Sequence, residues 1–400
     1  MAFVVEFYLR LDMSLAYEKD PSGRTAMDLA ERTAVRPAML RVLSFLGRYQ
    51  LASGDPVHSS ATARVHLAMD CGSGERDEEV VLKFMRNRDE FKREMEARRG
   101  GVPADVVVEV LGGHAPSDHE AGAWAGLLRP ERTDPGESHP YLLVMRRGGV
   151  SLHHFLASQR VAGCDVGRVR RVARSLAQKL QRLHGCGLVH FDVKPRNTLL
   201  VQGSLDDEVV LCDMDASRES GALRTQGEKV GSSAYFPPEV ARLKWGLASA
   251  VEASASVDVW SYGVLLFALG AGRHLFPQDI ANDELADPAS KSKLLAWHTI
   301  TDAELAEVFS GEADAAVAEA ARHLIRWCLK GDPRERPTIG QVLAHPFLAD
   351  GLSAAALSEA LALQPMGMRY RFFLSHAQAD AAGTAKSLHG LLKQLGVHCW

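Results

Sequence analysis

The sequence predicts an α+β fold in two unequal parts, a small β-rich part followed by a larger helical one. Three observations predict it. Runs of β-branched and apolar residues at Ala63–Met69 and Glu79–Phe84 flank the turn-like Cys71-Gly72-Ser73-Gly74, the texture of a strand pair. Long stretches around residues 165–184, 256–271 and 315–330 carry apolar residues at helical spacing and dominate the rest of the chain. At 400 residues, 46% of them hydrophobic and 24% charged, the chain can hold two or three units of roughly 100 to 200 residues, each with its own core.

The elements follow in order. Residues 1–50 read as helical, with Gly23-Arg24-Thr25-Ala26-Met27-Asp28-Leu29-Ala30 and a second periodic stretch from Pro37 to Leu46. The Gly-x-Thr-Ala-x-x-Leu-Ala phrase resembles the opening of an ankyrin repeat, in which the threonine caps the first helix. An ordinary helical hairpin packed on the next domain is the other reading. Strand texture begins near residue 56, and a charged amphipathic helix follows at residues 89–99. After Val106–Leu111, the Pro-, Gly- and His-rich stretch Gly112–Pro140 reads as a surface insertion. The strand His139–Met145 then leads into Arg146-Arg147-Gly148-Gly149. Residues 350–368 read as a linker, and a new unit starts at 369.

Charge and cysteine usage exclude several classes. Forty-six basic against fifty acidic residues give a net charge of −4, no footprint for nucleic acid or an anionic membrane. Cysteines 71, 164, 186, 212, 328 and 399 lie far apart, without the spacing of a zinc site or a disulfide framework. The opening residues lack a basic n-region and a cleavage site, and no stretch approaches eighteen uninterrupted apolar residues. The expectation is an intracellular, cytoplasmic protein that binds neither nucleic acid nor membrane.

The strongest chemical signal is His190-Phe191-Asp192-Val193-Lys194-Pro195-Arg196-Asn197. A carboxylate there can accept a hydroxyl proton, a lysine two residues on can neutralise a migrating phosphoryl group, and an amide oxygen can hold a metal ion. Sixteen residues past Asn197 the apolar run Val209–Cys212 ends at Asp213-Met214-Asp215. A carboxylate closing a buried strand is costly unless a cation pairs with it. Upstream, Val80-Val81-Leu82-Lys83 precedes a helix bearing Glu94. Downstream lie Gly231-Ser232-Ser233-Ala234-Tyr235-Phe236-Pro237-Pro238-Glu239, Asp258-Val259-Trp260-Ser261-Tyr262-Gly263 and Asp332-Pro333-x-x-Arg336-Pro337.

In their order these phrases resemble the eukaryotic-type protein kinase family in its serine/threonine form, the tyrosine-kinase-like group included, over residues 56–349. The resemblance implies a bilobal fold, ATP and Mg²⁺ as cofactors, and protein substrates. It implies Asp192 as catalytic base, Lys194 on the γ-phosphate, and Asn197 and Asp213 as Mg²⁺ ligands. Lys83 would contact the α- and β-phosphates with Glu94 as its ion-pair partner, and Val65, Val81, Met145 and Leu199 would line the nucleotide site, Met145 as gatekeeper. His190, Glu239, Asp258 and Arg336 take structural roles, with Glu239 pairing Arg336 and Asp258 holding the catalytic-loop backbone.

The sequence also departs from the family. His58, Ser60 and Ala63 stand where the phosphate loop has glycines, Arg98 where an aliphatic residue packs, and Asp215 where Asp-Phe-Gly ends in glycine. Phe191 replaces the arginine that in the family pairs with a phosphorylated activation-segment residue, so that switch should be weak and the hydroxyls of Ser217, Ser220, Thr225, Ser232 and Ser233 dispensable for basal activity. A pseudokinase or scaffold is therefore the alternative to an active enzyme.

Beyond the linker, Arg369-Tyr370-Arg371-Phe372-Phe373-Leu374-Ser375-His376 reads as a buried strand, followed by a helix through Leu395 and a second strand from Val397. This resembles the start of a Toll/interleukin-1 receptor (TIR) domain. Two strands cannot close a doubly wound sheet, so residues 369–400 are expected to be part of a longer unit or packed on a neighbour. The ankyrin-like and TIR-like segments would recruit protein partners.

Overall fold

The computed structural model describes residues 19–26, 29, 35, 39, 44–46, 48–52, 56–60, 62–72, 78–99, 101–115, 139–159, 162–163, 165–201, 207–279, 284–311 and 314–349. The described residues form two compact units, one within residues 1–96 and 108–147, the other within residues 97–107 and 148–400.

The first unit is built on one antiparallel sheet of β1 (Tyr49–Leu51), β2 (His58–Ser59), β3 (Ala63–Asp70), β4 (Glu78–Met85), β5 (Val110–His114) and β6 (Tyr141–Arg146). Its order is β1-β3-β4-β6-β5, with β2 also on β3. Strand alternation sorts the side chains onto two faces. Ala68, Val80, Leu82, Phe84, Leu142 and Val144 bury one face beneath Phe45, Tyr49 and Leu51. The Phe45 and Phe84 ring centroids lie 4.7 Å apart. The other face carries Val65, Lys83 and Leu143 in one cross-strand row and Leu67, Val81 and Met145 in the next. Helix α1 (Arg88–Arg99) follows β4. The Asn87 side chain accepts the backbone N–H groups of Asp89 and Glu90 and so caps its start.

Two sequence expectations are corrected here. Tyr49 and Gln50, the end of the segment read as helical, belong with Leu51 to a strand pairing with Ala68–Asp70, and its apolar residues close the outer sheet face rather than a helical hairpin. Gly112–His114, assigned to the insertion, extend β5 along Leu142–Val144. Backbone pairing needs no apolar side chain, so two glycines hid the strand. Residues 116–138, most of the ankyrin-like segment, and the whole linker and TIR-like segment from 350 onward lie outside the described residues.

The second unit is mainly helical. It comprises α2 (Leu152–Gln159), α3 (Val166–Gly185), α4 (Pro238–Lys244), α5 (Ala255–Ala271), α6 (Pro288–Leu295), α7 (Asp302–Ala306), α8 (Ala315–Cys328) and α9 (Ile339–Leu343). Short ladders join β7 (Val150–Ser151) to β9 (Thr198–Leu200) and β9 to β10 (Val209–Leu211). Others join β8 (Leu188–Val189) to β11 (Arg218–Glu219), and β12 (Leu223–Thr225) to β13 (Ala250–Glu252). Helix α3 buries Val169, Val172, Leu176, Leu180 and Leu183, a stripe at spacings of three and four. Helix α5 is buried without interruption from Val257 to Gly270, the sign of a central core helix. No helix among the described residues is long and apolar enough to cross a membrane.

The core leaves no room for a methyl group at Gly263 of α5. A Cβ there would sit 2.7 Å from the Cys328 Cβ and 3.0 Å from a Leu329 methyl. Gly263→Ala gains up to about 1 kcal/mol of helix propensity, but forcing apart two packed helices costs about 1–3 kcal/mol. Chemical denaturation should therefore show Gly263→Ala less stable than wild type and Gly263→Val less stable still.

Candidate active site

The first unit holds a buried ion pair. Lys83 Nζ on β4 lies 2.5 Å from Glu94 Oε1 on α1, both side chains almost fully enclosed. Removing two such charges from water is costly, and the close contact offsets that cost. Val65 and Val81 are half-buried on the same sheet face. Met145 shares that face opposite Val81, while the residue directly across from Lys83 is Leu143, which the sequence reading did not single out. Where the family has its glycine loop, a tight turn closes β2 onto β3. Ser60 N–H donates to the Ala63 carbonyl at 2.9 Å, and the Ser60 hydroxyl accepts the Ala63 N–H at 3.2 Å. Arg98 is half-buried on α1.

The second unit gathers the remaining residues in one hydrogen-bonded loop. Asp258, at the start of α5 and fully buried, accepts the backbone N–H of His190 at 2.8 Å and of Phe191 at 2.9 Å. Between those bonds Phe191 adopts φ 66°, a left-handed conformation that an aromatic residue takes only under constraint. The Asp192 N–H donates to His190 Nδ1 at 3.3 Å, so the ring hydrogen sits on Nε2, which donates to the Cys212 carbonyl at 3.1 Å. The Cys212 N–H in turn donates to the Asn197 carbonyl at 3.0 Å. His190 and Asn197 thus tie the end of β10, and Asp213 beyond it, to the loop. Asp213 is also left-handed, at φ 63°.

Asp192 is the centre of this network. One carboxylate oxygen accepts the Ser232 N–H at 2.8 Å, and the other lies 3.1 Å from Lys194 Nζ and accepts Asn197 Nδ2 at 2.9 Å. Lys194 Nζ also donates to the Ser232 hydroxyl at 2.6 Å. Burial is the strongest influence on Asp192 and disfavours its charge. The Lys194 ammonium and the Ser232 N–H outweigh burial and the opposing Asp213 charge, holding the carboxyl below the usual aspartate value. The group is therefore an ionised acceptor at neutral pH. Gly231 makes this approach feasible, since a Cβ there would lie 2.3 Å from the Phe191 carbonyl oxygen and 2.7 Å from Asp192 Oδ1. Leu199 on β9 is half-buried and sits in register with Ser151 and Val210.

The five hydroxyls expected to be dispensable for basal activity are not placed alike. Ser232 is bonded to Lys194, Ser217 is buried and donates to the Met214 carbonyl at 2.6 Å, and Ser233 is buried against Glu284 and the Leu285 N–H. Only Ser220 and Thr225 of the five are exposed. The spacing of Ser232 behind Gly231 was the signal, legible once the glycine is seen as a site of close approach.

The expected structural pair is present. Arg336 donates to both Glu239 carboxylate oxygens at 2.6 and 2.8 Å, to the Lys330 carbonyl at 2.8 Å, and lies over the Trp260 ring. Asp215 is also paired, 2.5 Å from Lys229 Nζ.

The donor set fits Mg²⁺ carried by a phosphate ligand. Both contacts from the Asn197 amino group go to Asp192, leaving the amide oxygen for a cation, and Asp213 adds a carboxylate. No group of three or more His, Cys, Asp or Glu gathers for a metal among the described residues. Mg²⁺ is typically held in this way, by one or two protein oxygens with phosphate and water completing its shell.

The sequence pattern of the protein kinase domain matches residues 133–348, which include Asp192, Lys194, Asn197 and Asp213. The chain is similar to the serine/threonine-protein kinase PKZ1 of Phytophthora infestans, 27% identical over 328 residues, 78% of this chain and 73% of that protein. It is also similar to the MAP kinase-interacting serine/threonine-protein kinase mnk-1 of Caenorhabditis elegans, 27% identical over 55% of this chain and 33% of that protein. A third relative is calcium-dependent protein kinase 9 of Oryza sativa subsp. japonica, 32% identical over 44% of this chain and 27% of that protein. The chain thus spans about a third or less of the last two.

Two outcomes test this geometry. Glu239→Gln should destabilise the fold by about 3–5 kcal/mol in denaturant titration, because it leaves the Arg336 guanidinium buried without its carboxylate. The second concerns Glu228, which a hydrogen bond from Arg218 pulls down to about 2. Its folded value lies below its unfolded one, so its contribution is fully present above the unfolded value and is lost as pH falls toward 2. Acid titration of stability should accordingly be shallower in Glu228→Gln than in wild type.

Proposed function

The chain belongs to the protein kinase domain family, and from that premise we propose that it is a serine/threonine-protein kinase, transferring the γ-phosphoryl group of ATP to protein hydroxyls. The observation that carries this reading is the Asp192 carboxylate held ionised between Lys194, Asn197 and the Ser232 N–H. Mg²⁺-ATP, when bound, supplies the phosphoryl group and neutralises charge at the phosphates. Lys83, Asn197 and Asp213 are the residues assigned to hold it, with Glu94 orienting Lys83. Asp192 is assigned to accept the hydrogen bond of the substrate hydroxyl and take its proton, and Lys194 to neutralise the charge that develops beside it. Val65, Val81, Leu199 and Met145 are assigned to the nucleotide's apolar surroundings.

The flanking segments belong to the same reading, recruiting protein partners inside the cell. A nucleotide-binding scaffold remains the competing reading on one observation, the hairpin turn of Ser60–Ala63 where the family has glycines. The two separate in one assay of the whole chain with ATP, Mg²⁺ and a generic basic protein. Phosphoserine or phosphothreonine should form with wild type and fall at least 100-fold with Asp192→Ala and with Lys83→Met. Equal signal from all three would end the enzyme reading, phosphotyrosine alone would end the serine/threonine assignment, and nucleotide-dependent thermal stabilisation without turnover would select the scaffold.

A further inference from the structure

In the family pattern the catalytic loop supplies an arginine, and a phosphorylated activation-segment residue pairs with it. Here the loop supplies Phe191, and a cation comes back from the segment. Arg224, on β12, is fully buried, and its guanidinium carbon lies 4.1 Å from the centroid of the Phe191 ring. The same side chain donates to the carbonyls of Ala216 and Lys229. It therefore joins the beginning of the segment, its middle and the catalytic loop. A ring face attracts a desolvated guanidinium, and carbonyl oxygens accept its hydrogens, so no phosphate is needed to hold it.

Neighbouring pairs run the same way. Asp215 meets Lys229, and Arg218 meets Glu228, each linking residues 215–218 to residues 228–229. The chain leaving Lys229 passes directly to Gly231 and Ser232, whose N–H lies on Asp192. The departures at Phe191 and Asp215, one on the catalytic loop and one at the start of the segment, are thus both partnered from within the segment.

We propose that Arg224 is a positioning residue that clamps the activation segment to Phe191 and thereby aligns Asp192 without any phosphate on the segment. The clamp rests on the kinase reading for its effect on turnover, but not for its effect on the segment. Three measurements on the full chain test it. Phosphatase-treated wild type and the Ser220→Ala/Thr225→Ala double variant should keep kcat within twofold of untreated wild type. Arg224→Met should lower kcat at least tenfold with the KM for ATP within twofold, and Arg224→Lys, which keeps a cation over the ring, should recover part of the loss. Hydrogen exchange should speed at least tenfold across residues 215–232 in Arg224→Met and stay unchanged in α5.

A tenfold loss on dephosphorylation overturns the proposal, as does full kcat in Arg224→Met. If wild type transfers no phosphoryl group, the kinase reading fails, and hydrogen exchange alone decides the clamp: unchanged protection of residues 215–232 overturns it. Should Arg224→Met not fold, Arg224→Lys and the phosphatase experiment carry the same decision.

Discussion

Asp258 is a buried carboxylate that spends both oxygens on the consecutive backbone N–H groups of His190 and Phe191, with His184 Nε2 a further 2.9 Å away. Its position is fixed by α5, the helix buried on every side. The left-handed turn at Phe191 is a strain of roughly 1–3 kcal/mol, and it persists because these bonds over-determine it. Once that turn is set, Asp192 faces Lys194 and Asn197, the His190 ring reaches the Cys212 carbonyl, and Asp213 is fixed relative to the loop. Asp192, Asn197, Asp213 and Ser232 are thus all referred to one buried helix.

The two units solve different electrostatic problems. In the first, Lys83 and Glu94 are a buried pair in a sheet whose opposite face is sealed by Phe45, Tyr49 and Leu51. In the second, Asp192 is buried near the Asp213 charge, and the Lys194 ammonium and the Ser232 N–H keep it ionised. Two residues that depart from the family pattern in the second unit have partners there. Asp215 has Lys229, and Phe191 has Arg224.

The sequence by itself determined the β-then-α order and the long helices, and singled out Lys83, Asp192, Lys194, Asn197 and Asp213 as candidates, since apolar period and fixed motif spacing are local properties of the chain. It also anticipated the Lys83–Glu94 and Glu239–Arg336 pairs through the family resemblance. It did not show that Tyr49–Leu51 completes the sheet or that Gly112–His114 extends it, because strand pairing is decided by distant backbone partners. Nor could it reveal Leu143 opposite Lys83, Ser232 on Lys194, or Arg224 on Phe191, contacts 60, 38 and 33 positions apart in the chain. Only tertiary structure brings such groups within a few ångströms. Electrostatic and hydrogen-bond energies depend on that separation and on burial, and neither is written in the order of residues.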